Sequence, residues 1–149
     1  MRIYHFGNFY MSSIQQGIQA AHCQTGMSVK YKYCEAYTTP EQQEMYWDWA
    51  ENHKTMICLN GGMNSDLYDI LKMMDSKDND YPWGYFNESR EAMNGMLTNI
   101  AIVLPERIYE TASKVRSREY TTLEDIKHLY LTEFENKLID TLNSCSIAK

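Results

Sequence analysis

Residues 11–22 read MSSIQQGIQAAH. They follow a short run, Arg2 to Tyr10, in which Ile3, Tyr4, Phe6 and Phe9 alternate imperfectly with polar residues. That pattern reads as a first strand with a bulge or close approach at Gly7. Ser12 and Ser13 stand where a helix N-cap belongs, because a serine hydroxyl accepts hydrogen bonds from the orphan amides of a first turn. From that start Ile14, Gly17, Ile18 and Ala21 form an apolar stripe at helical spacing. Ser12, Gln15, Gln19 and His22 form a second, wholly polar row. A solvated helix face normally carries Lys and Glu. A row of amides and a histidine leading back to a helix N-terminus suits a surface that reads a ligand, and the plainer reading of the same row is a Gln-rich solvated face.

Working outward, the helix is expected over about Ser13 to Thr25, with Gly26 ending it as a C-cap residue. Tyr31 to Tyr37 reads as a short strand or an ordered loop. Thr39, Pro40 and Gln42 supply an N-cap, a first-turn proline and a capping box, and Tyr46, Trp49 and Ala50 make that helix's buried face. Lys54 to Leu59 reads as a buried strand ended by Asn60-Gly61-Gly62. Asn64 or Ser65 caps a further helix in which Leu67, Ile70, Leu71 and Met74 recur at helical spacing. Pro82 to Phe86 is a third strand, Asn94-Gly95 a turn, and Met96 to Leu104 a fourth strand broken by Pro105. Thr121 with Glu124 forms another capping box, opening an apolar helix from Thr122 to Leu142. A helix so apolar must cover the sheet or meet a partner subunit, and a homo-oligomer through it is expected. Strands alternating with helices predict an α/β layer fold on a small mixed sheet.

A chain of 149 residues, 44% of them hydrophobic, is one domain in size and can bury a real core. No run approaches the roughly 18 apolar residues that cross a bilayer, and MRIYHFGNFY has no signal-peptide core. No membrane partner and a cytoplasmic location are expected. The four cysteines include no C-x-x-C pair, so they read as reduced thiols; Cys23, beside His22 and upstream of Cys34, lacks metal-ligand spacing. Neither a metal nor a cofactor is expected. A net charge of −6 counts against a grip on long nucleic acid, which needs a basic surface. It leaves room for a small anion in a local amide-lined or basic pocket.

MSSIQQGIQAAH resembles the signature of the type 2 peptidyl-tRNA hydrolase family, Met-Ser-x-Gly-Lys followed by Ala-x-Gln-x-Ala-His. Met11, Ser12, Gln19, Ala21 and His22 fall in register without a gap. Trp49 sits just before the strand Lys54 to Leu59, as in that family, and YFNESREAMNGMLTNIAIVLP over Tyr85 to Pro105 is similar to its Arg-Asp-Ala-Gly-Arg-Thr loop and following strand. The resemblance spans roughly residues 1–110. It implies a four-stranded mixed sheet with helices on both faces over 1–107, followed by a C-terminal helical extension over 108–149. It also implies an active site joining a first-turn lysine to an aspartate and threonine after the third strand. Here the lysine position is Gln15. The aspartate position falls on Phe86 or Asn87, the first threonine on Ser89 or Arg90, and Thr98 or Asn99 matches the threonine of the last strand. Losing an ionised donor aimed at an oxyanion costs about a hundredfold or more in rate.

In such a fold the start of the first helix and the loops after the second and third strands converge. They would bring Ser12, Ser13, Gln15, Gln19 and His22 together with Asn60, Gly61, Gly62, Asn87, Ser89, Arg90 and Thr98. Helix-start amides suit a phosphate, Arg90 can bind one bidentately, and Tyr10, Trp83, Tyr85 and Phe86 offer faces for a base. The expectation is a non-catalytic protein holding a nucleotide or cyclic nucleotide signal. The Met- and Tyr-rich, Pro-poor composition is reminiscent of phage accessory proteins, so a sponge for a host defence nucleotide is one form of it. The competing expectations are a hydrolase of peptidyl-tRNA or a related ester with relocated groups such as His22, Glu88 or Glu91, and an interaction module acting through the C-terminal helix.

Overall fold

The computed structural model describes residues 1–120, 122, 125, 127 and 129–148. Along the chain run β1 (Arg2–Gly7), α1 (Ser13–Tyr33), α2 (Pro40–Asp48), β2 (Met56–Asn60), α3 (Asn64–Met74), β3 (Trp83–Asn87), α4 (Arg90–Met93), β4 (Leu97–Leu104), α5 (Glu106–Arg116), α6 (Glu133–Ser144) and β5 (Ser146–Ile147). The sheet order is β3-β4-β1-β2-β5. β1 and β2 are parallel, whereas β4 is antiparallel to both β1 and β3. The two residues of β5 add an antiparallel edge to β2. This is an α/β fold on an open, mixed four-stranded sheet with β5 appended.

All eight residues of β4 are buried, which is what a near-continuous apolar run achieves in a strand covered on both faces. On one face α1 and α2 pack Cys23, Met27, Tyr31, Tyr46 and Trp49 against Ile3, Ala101 and Val103. On the other, Leu67, Met74, Ile108, Leu138 and Leu142 of α3, α5 and α6 pack against Phe6, Ile100 and Ile102. Residues of 108–149 thus share a core with the strands. The helix after Thr39 forms as expected, its capping box closed by Gln42. It passes through a π-helical turn, Trp49–His53, into Lys54, whose φ of 56° is left-handed.

Two expectations about α1 need correction. The helix does not stop at Gly26 but runs through it to Tyr33. A glycine inside a helix costs about 1 kcal/mol against alanine, and burial of Met27 and Tyr31 in the following turns outweighs that. The Tyr31 hydroxyl also donates to the Trp83 carbonyl (2.9 Å) and accepts from the Trp83 amide (2.6 Å), satisfying backbone groups of the edge strand β3. Second, the apolar stripe does not face the core. Ile14 and Ile18 are 77% and 50% exposed, while the buried face carries Gln16, Gln19, Ala20 and Cys23. The sheet beneath that half of α1 presents Gly7, His5, Thr98 and Asn99, and polar groups there need polar partners. Gly7 provides the room, since a Cβ on it would lie 2.8 Å from Gln16 Oε1.

The long C-terminal helix is also corrected. Thr121, Leu123, Glu124 and Ile126 lie outside the described residues. A reciprocal capping pair joins Thr122 and Asp125, one residue further on. Tyr130 then adopts a left-handed φ of 50°, and Thr132 with Glu135 caps α6 afresh. Phe134, Leu138, Ile139 and Leu142 pack into the chain's own core. α6 is held to α5 by the Arg107–Glu135 ion pair, and Tyr81 donates to Glu135 at 2.5 Å. Similarly α3 starts at Asn64, with Met63 at the cap position instead of Asn64 or Ser65, because Asp66 accepts from the Met63 amide at 2.8 Å. Among the described residues no helix is long and apolar enough to cross a membrane.

Candidate ligand-binding site

Because β1, β2 and β3 point the same way, their C-terminal ends lie together with the start of β4, and α1, α3 and α4 begin at that end. Asn8, fully buried, ties these loops together. Its side-chain amide donates to Asn64 Oδ1 at 2.6 Å, its carbonyl oxygen accepts from the Tyr10 amide, and its backbone amide donates to the Thr98 carbonyl. Asn8 carries no local sequence signal; the role of a buried amide directly after a strand is visible only once its three neighbours are assembled.

At the start of α1, Ser12 is the N-cap and Ser13 the first helical residue. Gln15 Oε1 accepts from the Ser12 amide (3.0 Å) and hydroxyl (3.1 Å), and Ser12 Oγ accepts from the Gln15 amide. Gln15, at the position of the family's lysine, is therefore the return half of a capping box. The first turn contains no acidic residue, so nothing within it neutralises the positive end of a 21-residue helix.

One turn further on, Gln19 joins β4 to the residue that follows β3. Its Oε1 accepts from the Thr98 hydroxyl at 2.8 Å, and its Nε2 donates to Glu88 Oε2 at 2.9 Å. Thr98 reaches this face through a β-bulge: Phe86 pairs with Asn99 and Asn87 with Leu97, leaving Thr98 as the extra residue. Thr98 and Asn99 in succession therefore meet the α1 side, Thr98 at Gln19 and Asn99 at His5. His22 stacks on Phe86 with ring centroids 4.8 Å apart. The Ser89 amide, Gln19 and nearby His22 hold the Glu88 carboxyl below the usual carboxylate range. His5 Nδ1 is 2.8 Å from Asn99 Oδ1, which requires the proton on Nδ1. Burial pushes His5 down from 6.5 to about 4, so the ring is neutral, and its Nε2 has no partner among the described residues.

The loop after β2 behaves differently. Asn60 Oδ1 accepts from the Gly62 amide, and the Gly61 amide donates to the Gly7 carbonyl. Gly61 has no space for a side chain: a Cβ would meet Leu67 at 2.7 Å and Phe6 at 3.0 Å. Gly62 has a φ of +89° with the Asp66 carboxylate against it. These amides are engaged within the fold, and the cavity of about 380 Å³ beside them is lined by Asp66 and Asp69, a field that repels phosphate. Asn60 also lines a second cavity with Phe9, Met11 and Gln16. Asn87 ends β3, Ser89 caps α4 by accepting from the Ala92 amide, and Arg90 opens that helix. Both Asn87 and Arg90 are exposed.

Among the described residues no cluster of His, Cys, Asp and Glu could hold a metal ion. The cysteines are free, and burial pushes the Cys23 thiol up to about 12, so it stays protonated. Compared with known proteins, the chain matches no family model, and no curated protein resembles it at a significant level.

Proposed function

We propose that this chain is a non-catalytic binder of a small phosphate-bearing ligand, a nucleotide or cyclic nucleotide, on a fold of the type 2 peptidyl-tRNA hydrolase kind. The observation that carries the reading is the Thr98–Gln19–Glu88 chain of hydrogen bonds beside the start of α1, whose first turn holds no acid. A phosphate fits the helix start and Arg90, where amides and a guanidinium supply donors. Glu88, ionised and fixed by Gln19, accepts from a sugar hydroxyl or a base amino group. The His22–Phe86 stack offers an aromatic face to a base. The same features oppose turnover. A general base works best with a midpoint near the working pH, whereas Glu88 is held low. Gln15 caps the helix instead of carrying a charge to an oxyanion. Sequestration of a signalling nucleotide, as by a phage sponge, is the biological form this binding would take.

The nearness of His22 to Glu88 favours a second reading, an ester hydrolase using this pair as relocated acid and base. One experiment separates them. Nucleotides are screened by thermal shift, and the best is incubated with the protein and recovered by denaturation for mass spectrometry. Intact recovery of a ligand that raises Tm supports the binder. Cleaved recovery that His22→Ala abolishes supports the hydrolase.

A further inference from the structure

We propose that the cavity enclosed by α5, α6 and the sheet is a second binding site, taking a small oxyanion such as inorganic phosphate or a phosphate monoester through Arg2, Arg116 and Asn143. It lies on the opposite sheet face from α1, over Tyr4 and Ile57, and Arg2 stands at the far end of β1 from Asn8. In a chain of net charge −6 its lining carries two arginines and, among the described residues, no carboxylate. Neither arginine forms an ion pair with a described residue. Glu106 and Glu110 lie close enough to Tyr109 to act on it electrostatically, but neither lines the cavity.

The donors there outnumber the acceptors. Arg116 donates to the Leu142 carbonyl (2.7 Å) and to Asn143 Oδ1 (3.2 Å), both neutral. A guanidinium has five N–H donors, so these two bonds orient it without neutralising it. Because Asn143 Oδ1 is taken, the amide orientation is fixed, and its Nδ2 is left buried with no acceptor among the described residues. The Arg2 guanidinium carbon lies over the Tyr109 ring, 4.1 Å from the centroid, a cation–π contact that leaves its positive charge unneutralised. Ser113 also lines the cavity. An oxyanion supplies the acceptors this set lacks, and Arg pairs with phosphate bidentately. The cavity volume, about 190 Å³, is below the roughly 300 Å³ at which drug-sized sites begin. It therefore suits a phosphate group and not a whole nucleotide.

The test is an NMR titration of the isotope-labelled full chain with inorganic phosphate, against chloride at equal ionic strength. Saturable shifts of the Asn143 side-chain amide and the Arg2 and Arg116 Nε–H signals are expected. Asn143→Asp keeps an oxygen for Arg116 but sets a carboxylate against the incoming anion. Arg2→Gln removes one guanidinium at the start of β1. Each is expected to weaken phosphate binding about tenfold or more, with an unchanged circular dichroism spectrum, and Asn143→Asp with an unchanged or raised Tm. The proposal is overturned if phosphate gives no saturable shift beyond chloride, or if both variants bind it undiminished. Shifts confined to residues 12–15 would also overturn it while supporting the site at the start of α1.

Discussion

Of the polar row on α1, Gln19 is the residue tied across the fold: it accepts from Thr98, donates to Glu88, and so fixes a carboxylate after β3. Replacing it with leucine removes one of the donors that keep Glu88 ionised, and the Glu88 titration midpoint is expected to rise toward the ordinary carboxylate value, read by carboxyl-carbon NMR. An unchanged midpoint would mean that the Ser89 amide and His22 set it without Gln19. His5 supplies a second residue-level test. Its midpoint falls from 6.5 to about 4 on folding, so between those values the unfolded chain binds more protons than the native one. Stability is then full above pH 6.5 and is lost as pH falls toward about 4. The loss is on the order of 3 kcal/mol from this group. Chemical denaturation across that window should show the slope, and His5→Gln should flatten it.

Among the elements, α1 teaches the most. Its start was legible because serines at a helix entry are local chemistry, although that Gln15 closes a capping box there was seen only in the structure. Its length and its buried face were not, because both depend on what lies beneath it. Tyr31 reaches the backbone of β3, and a bulge in β4 turns Thr98 toward Gln19. Neither is encoded in the helix's own periodicity. Gly17 and Gly26 sit in this helix without positive φ, and a Cβ added to either would meet nothing within 4 Å. Alanine at either is therefore expected to stabilise by about 0.5–1 kcal/mol, measured as a shift in the urea midpoint at unchanged slope. The α5–α6 junction responds the opposite way. Glu135, 5% exposed, serves Arg107, Tyr81 and the Thr132 amide at once. Glu135→Ala should cost about 1–3 kcal/mol, since the Arg107 it leaves is 43% exposed and solvated, visible in the same denaturation experiment.

At the scale of the whole molecule, strand order is visible only in the pairing itself, but an α/β layer fold on a small mixed sheet follows from alternating strands and helices. That much was readable from Met96 to Leu104, Lys54 to Leu59 and the turn residues between them. The C-terminal region was not, because Leu131 continues the apolar spacing while Tyr130 takes a left-handed backbone that ends it. Within the site, Ser12, Gln15, Gln19, His22 and Thr98 were legible from the resemblance to the hydrolase signature. Glu88 entered only as a relocated base, and Asn8 not at all, since their importance lies in contacts across 69 and 56 residues of chain. The proposed function leans on electrostatics: a helix start without acids, the exposed Arg90 and a carboxylate held low.

The most direct measurement is denaturing mass spectrometry of the protein purified from cells and supplemented with a nucleotide mixture, scored for phosphate-bearing small molecules retained through gel filtration. A non-catalytic binder is predicted to retain an intact nucleotide or cyclic nucleotide, near one per chain, that raises Tm and is lost on Arg90→Ala. Recovery of cleaved products would contradict that reading, as would a chain that retains nothing and whose Tm no nucleotide moves.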